Sequence, residues 1–167
     1  METFVNKVAE SGILTLNLED FYPKDDVMVF DMKDHLFMGL ILKEKDFRET
    51  LKAFDVTPYS GKFAAVYCST DAIIPVWAYM LAASALQPVA KDVIFGSPET
   101  VVQQLLINSI NELNEENYEG HRVVVKGCGE LPITEAAYIA ITKKLRPVAK
   151  SIMYGEPCST VPIFKRK

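Results

Sequence analysis

Histidine and tryptophan are scarce in this chain, and cysteine is little used. Two histidines, one tryptophan and three cysteines stand among 167 residues. No Cys-x-x-Cys pair and no His-x-x-x-His pair occurs, so the zinc spacings that can be read from sequence alone are missing. His35 falls in a segment of conflicting pattern and His121 opens a strand, so neither is placed to serve a cysteine as general base. Cysteine hydrolase chemistry is therefore not expected. No Gly-Lys-Ser/Thr sequence is present, which excludes the P-loop. Gly127-Cys128-Gly129 follows a strand, but the third glycine of the dinucleotide fingerprint is missing and Pro132 occupies its region. Basic excess is absent too: 18 Lys and Arg against 22 Asp and Glu leave a net charge of −4. That balance carries no nucleic-acid footprint, and the Lys165-Arg166-Lys167 tail reads as a solvated terminus. No apolar run is long enough to span a membrane. Glu2 and Lys7 precede no apolar core with a cleavage site, so no signal peptide is expected and the expected location is cytoplasmic. In that reducing setting, three cysteines favour thiols, a metal or a cluster over disulfides.

What the chain does have is an ordinary globular composition, 49% apolar and 24% charged, and a length that suits one domain. Its centre is Lys62 to Tyr79. Phe63 to Tyr67 is a short apolar run with the signature of a strand covered on both faces. Cys68-Ser69-Thr70-Asp71 forms a polar elbow, and Pro75 suits the first turn of a helix whose apolar side is Trp77, Met80, Leu81 and Leu86. The chain repeats this pattern. Gln87-Pro88-Val89-Ala90-Lys91 through Gly96 and Pro98 matches Arg146-Pro147-Val148-Ala149-Lys150 through Gly155 and Pro157, an offset of 59 residues (Gln87 to Arg146). The same offset lays Arg122 to Val125 over Phe63 to Val66, and Tyr138 over Tyr79. Two βαβ half-units follow.

Elsewhere, Met1 to Glu10 reads as a short helix ended by Ser11-Gly12, and Ile13 to Leu18 as a strand or extended arm. Val27 to Phe30 is strand-like, and Phe47, Leu51 and Phe54 make Lys43 to Phe54 an amphipathic helix. Ser97-Pro98-Glu99 starts another helix with a hydroxyl cap and a proline at its first position. Val123 to Lys126 is a buried strand, Thr134 caps the next helix, and Ser151 to Tyr154 is the following strand. Gly155 to Pro162 holds too many special residues for a regular element and reads as a shaped loop, with Val161 to Phe164 as an edge strand.

The architecture expected is a three-layer α/β domain over residues 1–167, its mostly parallel sheet built from the two half-units, 61–98 and 121–167, with right-handed crossovers. A less regular N-terminal segment, 1–60, precedes them. All three cysteines lie on elbows just past strands, where chemistry collects in parallel sheets. If those strands share one sheet edge, Cys68, Cys128 and Cys158 converge, and Asp71 completes a thiolate and carboxylate set suited to zinc. Glu130 and Glu156 lie on the same elbows. Iron, or an iron–sulfur cluster one thiolate short, fits less well. Each cysteine taken singly is more often a small buried hydrophobe. Two alternatives remain open. Cys68 or Cys128, at a helix mouth, would be the thiol of a sulfur-transfer or persulfide-carrying enzyme. Alternatively, the chain is a non-catalytic interaction protein, and a homo-oligomer is compatible with either.

Phe30-Asp31-Met32-Lys33-Asp34, Gly39 through Arg48, Ala65 through Pro75, Lys126-Gly127-Cys128 and Lys150 through Pro162 resemble a small bacterial domain family of unknown function. The resemblance covers nearly the whole chain and brings no established activity. It implies a loose association with iron–sulfur cluster assembly, whose proteins would then be partners.

Overall fold

The computed structural model describes residues 6–8, 12–127, 129–156 and 159–167. In chain order the elements are β1 (Asn6–Val8), β2 (Ile13–Asn17), β3 (Val27–Asp31), α1 (Glu44–Ala53), β4 (Phe63–Tyr67), α2 (Val76–Leu86), β5 (Asp92–Phe95), α3 (Pro98–Asn111), β6 (Arg122–Lys126), α4 (Glu135–Leu145), β7 (Ser151–Glu156) and β8 (Ser159–Lys165). The fold is mixed α/β, and most strand pairs are parallel. The strands form two sheets, a five-stranded β1-β2-β6-β7-β8 and a three-stranded β3-β4-β5. The chain divides into two compact units, one of residues 1–22 and 103–167, the other of 23–102.

The internal repeat holds element by element. Shifted by the offset read from Gln87 to Arg146, β4 falls on β6, α2 on α4 and β5 on the start of β7. Equivalent hydrogen bonds recur: Gly61 N–H donates to Val89 O at 3.1 Å, and Gly120 N–H to Val148 O at 2.9 Å. Each unit adds a parallel strand before its βαβ module, β3 beside β4 and β2 beside β6.

In the unit of residues 23–102, the packing contact is made by small residues. Ala78, Ala82 and Leu86 are fully buried at i, i+4 and i+8, so α2 lies close on Ala64 and Val66. Of the expected apolar side, Leu86 is buried and Leu81 packs against this core, but the other two residues depart from it. Met80 faces outward and Trp77 is only partly covered, because a helix seated on a sheet through alanines leaves no room there for either. In the other unit, Ala137, Ile141 and Leu145 do the same for α4 against Val123, Val125 and Ile152. Full burial of a leucine of this kind is worth about 1.5–3 kcal/mol.

Several expectations change. Asn6–Val8 is a strand paired antiparallel to β2, not part of a helix; the rest of that predicted helix lies outside the described residues. Backbone pairing decides this, since Lys7 and Val8 sit opposite Leu14 and Ile13. The shaped loop after Tyr154 is instead a continuation of β7 to Glu156, followed at Ser159 by β8. Gly155, at φ +114°, takes a conformation that a Cβ would strain, and an added Cβ would lie 2.5 Å from Ser159 O. Pro162 is tolerated because β8 is an edge strand and its register shifts between Ile152 and Met153. Ser97 caps α3 as expected, with Thr100 N–H donating to its hydroxyl at 3.2 Å. Thr134 occupies the cap position of α4, but its hydroxyl makes no capping bond.

Leu145→Ala should cost about 2–5 kcal/mol of unfolding free energy in urea. Ile139→Ala, on the exposed side of the same helix, should stay within about 0.5 kcal/mol of the parent.

Candidate functional site

In the unit of residues 23–102, β3 and β4 end together, with Asp31 opposite Tyr67. Asp31 then holds the elbow. Its Oδ1 accepts the N–H of Lys33 and the N–H of Ser69, each at 3.0 Å. Burial pushes its carboxyl upward, but the hydrogen bonds from Ser69 and Lys33, with the Lys33 charge, outweigh that and hold it below the usual carboxylate value. Cys68 is half-buried against the core of this unit, and its thiol donates to Thr70 O at 3.4 Å. Burial, followed by nearby charge, raises the hydroxyls of Tyr67 and Tyr79, so both stay protonated at neutral pH.

This arrangement differs from a helix-mouth thiol. The helix α2 begins only at Val76, after the run Asp71–Pro75, so Cys68 lies outside its first turn. Asp71 is exposed on the same elbow and caps nothing. The histidine of this unit is engaged elsewhere. His35 stacks on Phe30 with centroids 4.8 Å apart and meets Phe47 and Phe54 edge-on. Burial holds its pKa below the ordinary histidine value, although Asp34 and Asp31 pull the other way.

Of the proposed metal set, Cys68 and Asp71 share one elbow, while Cys128 and Cys158 lie outside the described residues. The strands leading to those two, β6 and β7, belong to a different sheet from β4. Among the described residues, no three His, Cys, Asp or Glu side chains are grouped to hold a metal.

The second elbow, in the unit of residues 1–22 and 103–167, explains its glycines sterically. A Cβ on Gly129 would sit 1.9 Å from Glu19 Oε1, and one on Gly127 would sit 2.5 Å from Tyr138 Oη. Glu19 Oε1 accepts the N–H of Leu131 at 3.2 Å. Beside it, Tyr22 donates to Pro132 O at 2.6 Å, and Gln103 Nε2 donates to Tyr22 Oη and Pro132 O. An apolar cavity of about 330 Å³ lies along α4, lined by Val125, Tyr138, Thr142, Ile152, Tyr154 and Ile163.

Exposed apolar side chains were not anticipated from sequence, although a signal was present. The run from Ala72 to Ala90 contains no charged residue at all. No helix among the described residues is long and apolar enough to cross a membrane. Ile73, Val76 and Met80 are exposed instead, as are Phe37, Met38, Leu40 and Ile41 on a hairpin before α1.

A family model for a protein of unknown function, DUF2480, matches residues 2–166. The chain belongs to the DUF2480 family. No curated protein and no solved structure matches it. The family therefore assigns this DUF2480 chain no chemistry, and the geometry above has to carry the functional reading.

The pH response of His35 follows from its burial. Between the depressed folded value and the ordinary unfolded value of about 6.5, the unfolded chain binds more protons. Its stabilising contribution is complete above about 6.5 and is lost as pH falls through the folded value. Urea unfolding at pH 7.5 and pH 5 should show the parent losing more stability on acidification than His35→Phe.

Proposed function

We propose that this protein acts by binding rather than by catalysis, as an interaction protein whose docking element is the hairpin before α1. One observation carries this reading: Met38, at φ +52°, sits at the tip of a hairpin whose apolar side chains are exposed to solvent. Phe37 and Ile41 form an antiparallel bridge, and Met38 and Gly39 are both left-handed, as a type I′ turn requires. Asn-Gly is the sequence that suits such a turn. Methionine there costs on the order of 1–3 kcal/mol of strain. The hairpin is well built in spite of that. Phe37 N–H donates to Ile41 O at 2.6 Å, and the Lys43 ammonium sits 3.5 Å from the centre of the Phe37 ring. Met38 and Leu40 are 78% and 69% exposed at its tip. The charges flanking the hairpin balance, Lys33, Lys43 and Lys45 against Asp34, Glu44 and Asp46, and the chain is net negative, so no basic excess recruits an anionic lipid surface. The partner fitted by this knob is a protein with an apolar pocket.

Met38→Asn tests strain and binding together. It should raise stability by about 1 kcal/mol and weaken a purified stoichiometric complex by tenfold or more, with Leu40→Lys abolishing the complex. A complex that survives Leu40→Lys, or needs the three thiols instead, ends this reading.

A second reading keeps the cysteines, because Cys68 stands at a parallel strand end with its thiol donating to a carbonyl. In it, Cys68, Asp71, Cys128 and Cys158 bind one zinc, and the partners are iron–sulfur assembly proteins. Metal analysis should then find one equivalent of zinc, lost in Cys128→Ser and in Cys158→Ser. Full occupancy in both variants rules it out.

A further inference from the structure

Comparison of the two halves of the repeat exposes a gap. In the unit of residues 1–22 and 103–167, β8 covers the outer edge of β7 and the adjacent flank of α4. Tyr154 pairs with Val161, Ile163 lines the cavity with Thr142, and the Arg146 guanidinium lies 3.8 Å from the centre of the Phe164 ring. In the unit of residues 23–102, β5 matches β7 but is the last strand of its sheet. Gly96 N–H donates inward to Val66 O at 3.0 Å, so strand alternation turns the N–H groups of Val93 and Phe95 outward. Tyr79 touches Phe95 with ring centroids 5.4 Å apart, which sets that flank of α2 above β5.

We propose that a second copy of this chain fills the gap, β5 pairing antiparallel with its counterpart across a two-fold axis while the two α2 helices meet flank to flank. Charge supports a like partner. Where α4 carries Glu135, Lys143 and Lys144, α2 has Val76, Ser84 and Ala85, so two α2 flanks meet with no charge left unpaired. Area supports it as well. Ile73, Val76, Met80 and Phe95 are 92%, 77%, 69% and 69% exposed. Side chains of that size offer roughly 400–500 Å² of apolar surface, which with backbone and a polar rim approaches the ~800 Å² per partner of a standard interface. Asp92 guards the edge. Its carboxylate accepts the Val93 N–H at 2.8 Å, a position held by Ser151 on the covered edge of β7. The Asp92 bond discourages stray strands, and a copy that brings its own α2 supplies the burial needed to displace it.

This proposal stands apart from the hairpin reading. Sedimentation equilibrium of the full chain should show a dimer at micromolar concentration. Val76→Glu, which installs the residue type found at Glu135 in α4, should weaken that dimer by about a hundredfold or more with circular dichroism unchanged. Met80→Lys gives the same test should Val76→Glu fail to fold. Leu40→Lys should leave the dimer intact, which separates this surface from the hairpin. A parent that stays monomeric over the whole concentration range, the result expected if a foreign strand is the occupant, overturns the proposal. So does a dimer indifferent to both α2 variants.

Discussion

Both units depend on the same contact: a helix lying close enough to a parallel strand pair to exclude water from its seam. Alanine at 78, 82 and 137, with isoleucine at 141, permits that approach, while Leu86 and Leu145 close the seam at the helix end. The turn after each helix is then dictated. Val89 and Ala90 donate back to Leu86, and Val148 and Ala149 donate back to Leu145. The next strand is thereby delivered beside the first. Buried tyrosines lock the preceding turns, Tyr59 in one unit and Tyr118 in the other, also 59 residues apart (Tyr59 to Tyr118).

Once the seams are closed, the units differ at their edges and elbows. The five-stranded sheet is flanked by β1 and β8, both antiparallel additions to a three-stranded parallel centre. Among the described residues the three-stranded sheet has no such additions, and it blunts β5 with a short length and the Asp92 side chain. At each elbow an acid accepts a backbone N–H, but at different positions of the repeat. Asp31 reaches the elbow from the end of its strand, whereas Asn17 caps the turn and Glu19 reaches across.

The glycines of the second elbow show how a motif can mislead. Gly127 and Gly129 have the look of a ligand cradle, but Tyr138 and Glu19 already fill the space a Cβ would take. The same holds for the helix that follows the first elbow. Its large apolar residues invited assignment to the core, yet close seating on Ala78 and Ala82 turned Met80 outward.

Much was legible from residue order alone. The βαβ repeat, the strand and helix types within it, α1 and the cap of α3 all rest on local periodicity and on a self-match, and neither needs long-range information. What tertiary structure alone decided was pairing and facing. The division into two sheets, the recruitment of Asn6–Val8 and Ser159–Lys165 as flanking strands, the burial of His35 among phenylalanines and the outward display of Val76, Met80 and Met38 all depend on which distant backbone reaches which edge. Hydrophobicity states that a side chain prefers burial. Only the neighbours brought against it by the rest of the chain determine whether that burial is available.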